Sequence, residues 1–504
     1  MKIVKPVQLF LVFLFFYGIM LILSSISQGF YQYHNDFWDI FFVTRHMVAS
    51  LPVSWFNPQY PIGYTLLLKC ITGAGSPVFP AIIFNIIVGM AIIIICSYFY
   101  FQLLPEKLSY LCIAILATFP TLFHYLTVGG GDPGSVLFFA SGSFLVFVSV
   151  LNNNKKFLPF LFGGFLMGSG ALFRYHVLPA VLLYIVIFVI FNKLFFKQLI
   201  VSGFGVAIAY LPQIIVNLSS GHALLETQFG PMNVYDLMYS MSWYQTITLD
   251  LPKSVFAIIA QDPLLFIKKY FLAFASFSPY FLPQIIAAIA ATDKKKRYLC
   301  LTLSTYSVLY FTFFSAFTSG RQGLLLLPFA ILCTGLTIES TIARFPILRK
   351  KGIPVLAALT VISIFIYKDS RKVQARSADF IKYKKIESVL IAENCNNVRE
   401  VFSTKFQFYM PRLYPFVTYF NGGAPRWGTY KFNDEYPEFP VTTFKEFMET
   451  CRKRGVRFLV LTNNSEKLSP FFGEIFYEKV EGISLLFDDP VLKVFKINNP
   501  DSHT

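Results

Sequence analysis

Long apolar runs separated by loops of alternating charge constrain this chain more than any other feature of its sequence. Runs near 7–26, 80–101, 109–127, 135–151, 157–173, 177–192, 198–217, 271–291, 298–317, 323–340 and 353–367 are rich in Phe, Leu, Ile and Val. Several approach the ~20 residues that a helix needs to cross a bilayer. Charged residues make up only 14% of the 504-residue chain and hydrophobic ones 55%, too apolar a balance for a set of water-soluble domains. The expectation is a polytopic α-helical membrane protein with about 11 transmembrane helices, within a range of 10–13. Disorder, a disulfide scaffold and a basic nucleic-acid-binding domain are excluded by the same composition.

The net charge of +16 is unevenly placed. Positions 1–368 carry 23 basic and 10 acidic residues, a net +13, while positions 369–504 carry 20 and 17, a net +3. With the N-terminus (Lys2, Lys5) placed in the cytoplasm, the inner loops hold Lys107, Lys155 and Lys156, Lys193 and Lys197, Lys294 to Arg297, and Arg344 to Lys351. The opposite loops hold Asp36, Asp39, Asp132, Glu226, Asp236, Asp250 and Asp262. Basic residues on alternate loops follow the positive-inside rule, so the excess charge sets orientation and does not mark a polyanion groove. The first run is too long for the apolar region of a typical cleaved signal peptide and is expected to remain as an anchor. The plasma (inner) membrane is the expected location.

Odd parity puts 369–504 outside the cytoplasm. In this segment "VTTFKEFMETCRKRG" sets Phe444, Phe447, Met448 and Cys451 on one helical face, with Gly455 as a stop. "VRFLVLT" predicts a buried strand, and "GISLLFDDPVLKVFKI" two strands around an Asp488–Asp489–Pro490 turn. A small extracytoplasmic α/β domain is expected there. Cys395 and Cys451 are equally compatible with a disulfide and with free thiols. No Walker A, HExxH or CxxC pattern occurs, and "GGFLMGSGALF" has the glycine spacing of helix packing.

Ionisable residues near the outer ends of the spans are the candidate site. Asp36 precedes an amphipathic segment from Phe37 to about Ser50, where it and Asp39 serve equally well as N-terminal caps. Asp132 follows three glycines in "GGGDPGS", where a capping role is again available while the glycines permit close backbone approach. Arg174 and His176 lie in the short turn "FRYH", and Arg321 stands before the span starting near 323. "NPQYPIGYTLLLK", ending in Lys69, is expected to dip into the membrane or lie on its surface.

The segment "NDFWDIFFVTRHMVAS…NPQYPIGYTLLL" resembles the first outer loop of GT-C superfamily membrane glycosyltransferases, nearest the glycosyltransferase 39 and 83 type. Asp36 matches that family's acid, Arg45 and Met47 its Arg-x-Met-like element, and Tyr60 and Pro61 its proline-rich segment. Phe37 departs from the second acid usual there, a place that Asp39 could fill. Asp132, Arg174 and Arg321 match the family's later acidic and basic positions. The resemblance implies a transmembrane catalytic domain over 1–368, with a first outer loop at 31–79, a long outer loop at 218–262 and the outer domain at 369–504.

It also implies transfer of a sugar, with inversion, from a polyprenyl-phosphate donor to a lipid, glycan or protein acceptor at the outer face. Asp36 would be the catalytic base, and Arg174 and Arg321 would hold the donor phosphate. Asp39, Asp132, Arg45, Lys69 and His176 would assist or bind acceptor. Membrane lipid is a further partner, and nucleic acid is not expected. No cofactor is required, although Asp36 and Asp39, about one helical turn apart, could share a divalent cation. A polymerase or ligase acting on polyprenyl-pyrophosphate glycans is another enzyme option. The rival class is a transporter or flippase, which predicts broken helices carrying ionisable residues at the membrane midplane.

Overall fold

A computed structural model describes residues 4–28, 61–72, 78–128, 130–219, 234–235, 238–239, 251–252, 254–314, 321–345, 353–396, 400–404, 443–467 and 469–498. The chain divides into two compact units, one helical and ending at Val373, the other built from Gln374 onward.

The helical unit contains α1 (Val4–Ser27), α2 (Ile62–Thr72), α3 (Val78–Leu103), α4 (Glu106–Ala117), α5 (Pro120–Val128), α6 (Asp132–Leu151), α7 (Phe157–Ala171), α8 (Val177–Phe191) and α9 (Phe196–Ser219). It continues through α10 (Val255–Gln261), α11 (Pro263–Ala290), α12 (Lys294–Phe314), α13 (Leu327–Arg344) and the start of α14 (Ile353–Ala392). Each apolar run expected from the sequence therefore contains helix. The expected count of about 11 crossings needs correction. Among the described residues, four segments (Phe10–Ser27, Phe79–Leu103, Asp132–Leu151 and Lys193–Ser219) are long and apolar enough to cross a bilayer. Counting each of two bent pairs as one span gives up to six.

Helix length explains part of the shortfall. α7 and α8 have 15 residues each, so at ~1.5 Å per residue they fall short of a ~30 Å hydrocarbon layer. The bends have local causes. α4 and α5 meet at 52° across a break ending in Pro120. α11 bends by 69° around residue 275, where the ring of Pro279 opposes the carbonyl four residues back and removes one helical hydrogen bond.

Small residues seam α6, α7 and α9 together. A Cβ at Gly164 would run into the Ser202 carbonyl, and one at Gly142 into the Gly163 carbonyl. The Ser202 hydroxyl donates to the Phe160 carbonyl at 2.8 Å across the same seam. The glycines of "GGFLMGSGALF" are thus packing contacts, as their spacing suggests.

The second unit is a sheet covered on both faces. β1 (Val401–Ser403) pairs in parallel with β2 (Phe458–Thr462), and β4 (Leu492–Ile497) pairs antiparallel with β2 and with β3 (Ile483–Phe487). The order is β1-β2-β4-β3. Alternation along β2 splits its side chains: Phe458 and Val460 join Tyr383, Ile386 and Leu390 of α14 on one face. Leu459 and Leu461 join α15 (Phe444–Lys453) and α16 (Pro470–Tyr477) on the other.

Thr443 caps α15, accepting from the Glu446 amide at 3.3 Å and donating to the Glu446 carboxylate at 2.9 Å. Gly455, at φ +69°, terminates that helix while the Val456 amide donates to the Cys451 carbonyl at 2.9 Å. Cys395 and Cys451 form no disulfide and pack on opposite faces of the sheet, which excludes a bond between them here. Burial pushes the Cys451 thiol up to about 12.

Candidate functional site

The fold brings the start of α6 and the end of α7 to the same end of an antiparallel pair, and two opposite charges meet there. Arg174 donates through Nη2 to Oδ2 of Asp132 at 2.5 Å, with Asp132 2% and Arg174 8% exposed. The capping reading of Asp132 gives way to this ion pair: the N-cap position is Gly131, without a side-chain cap. The glycines before it act as anticipated. Gly131 lies so close to the Phe173 carbonyl that a Cβ would collide with it, and Gly130 adopts φ +121°. Any side chain at 131 would push apart the two turns that carry the pair.

Aromatic packing fixes the Arg174 turn. The Phe173 ring sits among Tyr64, Phe84 and Phe138 at centroid distances of 6.2, 6.3 and 5.4 Å. Amides of Phe173 and Arg174 both donate to the Gly170 carbonyl, at 3.0 and 3.2 Å. From α2, the Tyr64 hydroxyl accepts the Gly130 amide at 3.1 Å, and the Gly63 amide donates to the Leu172 carbonyl at 2.8 Å. Three elements thus hold one charged turn by backbone as well as by side chain.

His176 ends that turn within electrostatic reach of Asp132, Arg174 and Arg321. Desolvation is the main influence on its imidazole and lowers its pKa to about 3; Arg174 and Arg321 push the same way, while Asp132 opposes them. The ring is neutral at physiological pH, able to donate and accept hydrogen bonds. Arg321 precedes a short 3₁₀ turn, Gln322–Leu325, whose Gln322 carbonyl accepts from the Tyr310 hydroxyl at 3.0 Å.

Asp132, Arg174, His176 and Arg321 are therefore brought into one electrostatic neighbourhood. Lys69 is not joined to it: it lies in the last turn of α2, five residues beyond Tyr64 and thus about 140° round the helix. Asp36, Asp39 and Arg45 lie outside the described residues. Among the described residues, no group of three or more His, Cys, Asp or Glu side chains gathers in a metal-holding arrangement.

Sequence inspection missed Gln213. Buried on α9, it accepts the Ile62 amide at 2.8 Å and donates to the Tyr175 hydroxyl at 3.1 Å and to Asn217 Oδ1 at 2.9 Å. It ties the start of α2 to the turn carrying Arg174 and His176. The available signal was a pair of amides, Gln213 and Asn217, four residues apart on one face of an otherwise apolar helix.

Neither the family models nor the curated proteins gave a match to this sequence. Solved structures do match in fold. ArnT from Cupriavidus metallidurans in the apo state aligns over 99% of this chain and 100% of its own, with a TM-score of 0.52 and 11% identity. The Archaeoglobus fulgidus oligosaccharyltransferase, crystallised with Zn and sulfate, aligns over 89% of this chain and 68% of its own, with a TM-score of 0.50 and 13% identity. The chain shares the fold of these two proteins: a polytopic helical membrane protein with a β-containing C-terminal domain.

Proposed function

We propose that the protein is a glycosyltransferase that moves a sugar from a polyprenyl-phosphate donor to a lipid, glycan or protein acceptor at the outer face of the membrane, with inversion. One observation carries the proposal: Asp132, Arg174, His176 and Arg321 gather at the ends of apolar helices in a fold of this type. A lipid-linked donor needs apolar surface for its tail and positive charge for its phosphate. A phosphate leaving with its negative charge is stabilised by fixed cations in a site that excludes water.

Arg321 and Arg174 are assigned to that phosphate through charge-assisted hydrogen bonds. Asp132 acts here as a positioning residue that aims the Arg174 guanidinium. Neutral His176 is assigned to a ligand hydroxyl. Asp36, matched by sequence to the family acid, is assigned as the base for the acceptor, since a carboxylate with an ordinary pKa near 4 is ionised at neutral pH. Asp39 and Arg45 complete the assignment as auxiliary groups, and Lys69, on another face of α2, is left out of it. In this scheme the helical part spans the membrane from a cytoplasmic N-terminus. Residues 1–368 carry catalysis, with loops 31–79 and 218–262 outside together with the domain at 369–504.

The test is turnover of purified protein on a panel of labelled polyprenyl-phosphate sugars. Transfer by the wild type, its loss in Asp36→Asn, and weakened donor use in Arg321→Ala are the expected results. No transfer from any donor, with substrate moved across vesicles instead, would replace the proposal with a transporter.

A further inference from the structure

The cations of the charged turn are enclosed, but α14 carries another set that is fully presented to the surroundings. Its first half is apolar and faces outward, with Leu356 68%, Ile364 46% and Tyr367 63% exposed. At Tyr367 the character of the helix changes within one residue. Lys368, Arg371 and Lys372 follow, all exposed, at i, i+3 and i+4, which places them side by side on the helix surface. Tyr367 and Ile364 stand one turn before Arg371 and Lys368, so the apolar strip runs into the basic one.

None of the three cations forms an ion pair among the described residues. The adjacent acid does not neutralise them: Asp369 is buried, within electrostatic reach of Tyr17. An outward apolar strip capped by a ring at the boundary and then by three exposed cations has the shape of a lipid: chains, interface, phosphate.

We propose that Lys368, Arg371 and Lys372 form a docking surface for the phosphate headgroup of an anionic phospholipid, whose acyl chains lie along the outward apolar face of α14. Simple snorkelling of long side chains accounts for cations near a membrane edge, but it makes no distinction between lipid headgroups. Charge complementarity does. The site is independent of the proposed sugar transfer, and its test reads binding without turnover, so the two can fail separately.

The full-length protein in neutral detergent is offered phosphatidylglycerol or phosphatidylethanolamine of the same chains, and retained lipid is counted by native mass spectrometry. The wild type is expected to retain the anionic lipid in preference. Each cation replaced by glutamine should cost roughly fivefold in retention, and Lys368→Gln/Arg371→Gln/Lys372→Gln about 100-fold. The charge-keeping exchange Lys368→Arg/Arg371→Lys/Lys372→Arg should retain it. Lys384→Gln/Lys385→Gln, about 18 Å further along the helix, should change nothing. Should the triple variant lose its thermal transition, the three single variants carry the same test. Equal retention of both lipids, an unaffected triple variant, or displacement of the lipid by inorganic phosphate would each overturn the proposal.

Discussion

Two ion pairs of nearly equal length occupy opposite surroundings in this protein. Asp132 and Arg174 meet at 2.5 Å with their side chains 3% and 9% exposed, at the junction of two membrane-unit helices. Lys382 and Asp489 meet at 2.9 Å with side chains 26% and 20% exposed, in the unit built around the sheet. The chemistry is the same, but the solvent is not. Water can take over either partner when the second pair breaks, whereas the first has been stripped of water in advance and each charge depends on the other. In the Lys382–Asp489 pair charge is surface trim. The Asp132–Arg174 pair holds its charge out of water instead.

Breaking the buried pair is the strongest way to test that contrast. Asp132→Ala should destabilise the protein by about 3–5 kcal/mol by stranding the Arg174 charge, read as a fall in the thermal transition of detergent-purified protein. Asp132→Leu/Arg174→Met should regain most of that stability while turnover stays lost. That outcome separates a functional ion pair from a structural one.

Gln213→Leu comes next, at about 1–3 kcal/mol, because it takes the acceptor from the buried Ile62 amide and removes the amide that donates to the Tyr175 hydroxyl. Lys382→Ala should cost only about 0–1 kcal/mol. Burial alone would raise the Asp489 carboxyl, but hydrogen bonds from Lys382 and the Val491 and Leu492 amides outweigh it and hold the pKa below the usual value. What this group contributes is accordingly present at neutral pH and lost only in acid.

His176→Asn should leave stability at neutral pH unchanged. With a folded pKa near 3 against about 6.5 in the unfolded chain, the wild type loses stability as pH falls from 6.5 towards 3, because only the unfolded state takes up the proton. A thermal scan across that range should show a shallower pH slope in the variant.

Much of the architecture is legible in the residues themselves. Apolar runs mark the helices because an apolar surface must be covered by lipid or protein. In the C-terminal domain, the continuous apolar run in "FLVLT" and the stop at Gly455 mark local choices that need no distant partner. Long-range pairing is harder to read. Asp132 and Arg174 could be placed at the same edge from alternating helix direction, yet a cap and an ion pair use the same carboxylate. Only the approach of Gly131 to Phe173 decides between them. Gln213 offered only its amide neighbour Asn217 as a signal, because its other partners are a backbone amide 151 residues away and a hydroxyl 38 residues away. Helix count was less legible, and length is one reason: the apolar runs of α7 and α8 do not state that only 15 residues of each will be helical.

The glycine seam between α7 and its neighbours has a consequence for how a substrate is met. With Gly142 against Gly163, and Gly164 against Ser202, α7 has little freedom to slide relative to α6 or α9. The arginine at its end is mounted rather than tethered. A flexible cation would have to be ordered anew by every ligand, and part of each ligand's affinity would go to that ordering. A mounted one presents its charge at a set height and angle before anything arrives, which is what the proposed contact with a donor phosphate would require.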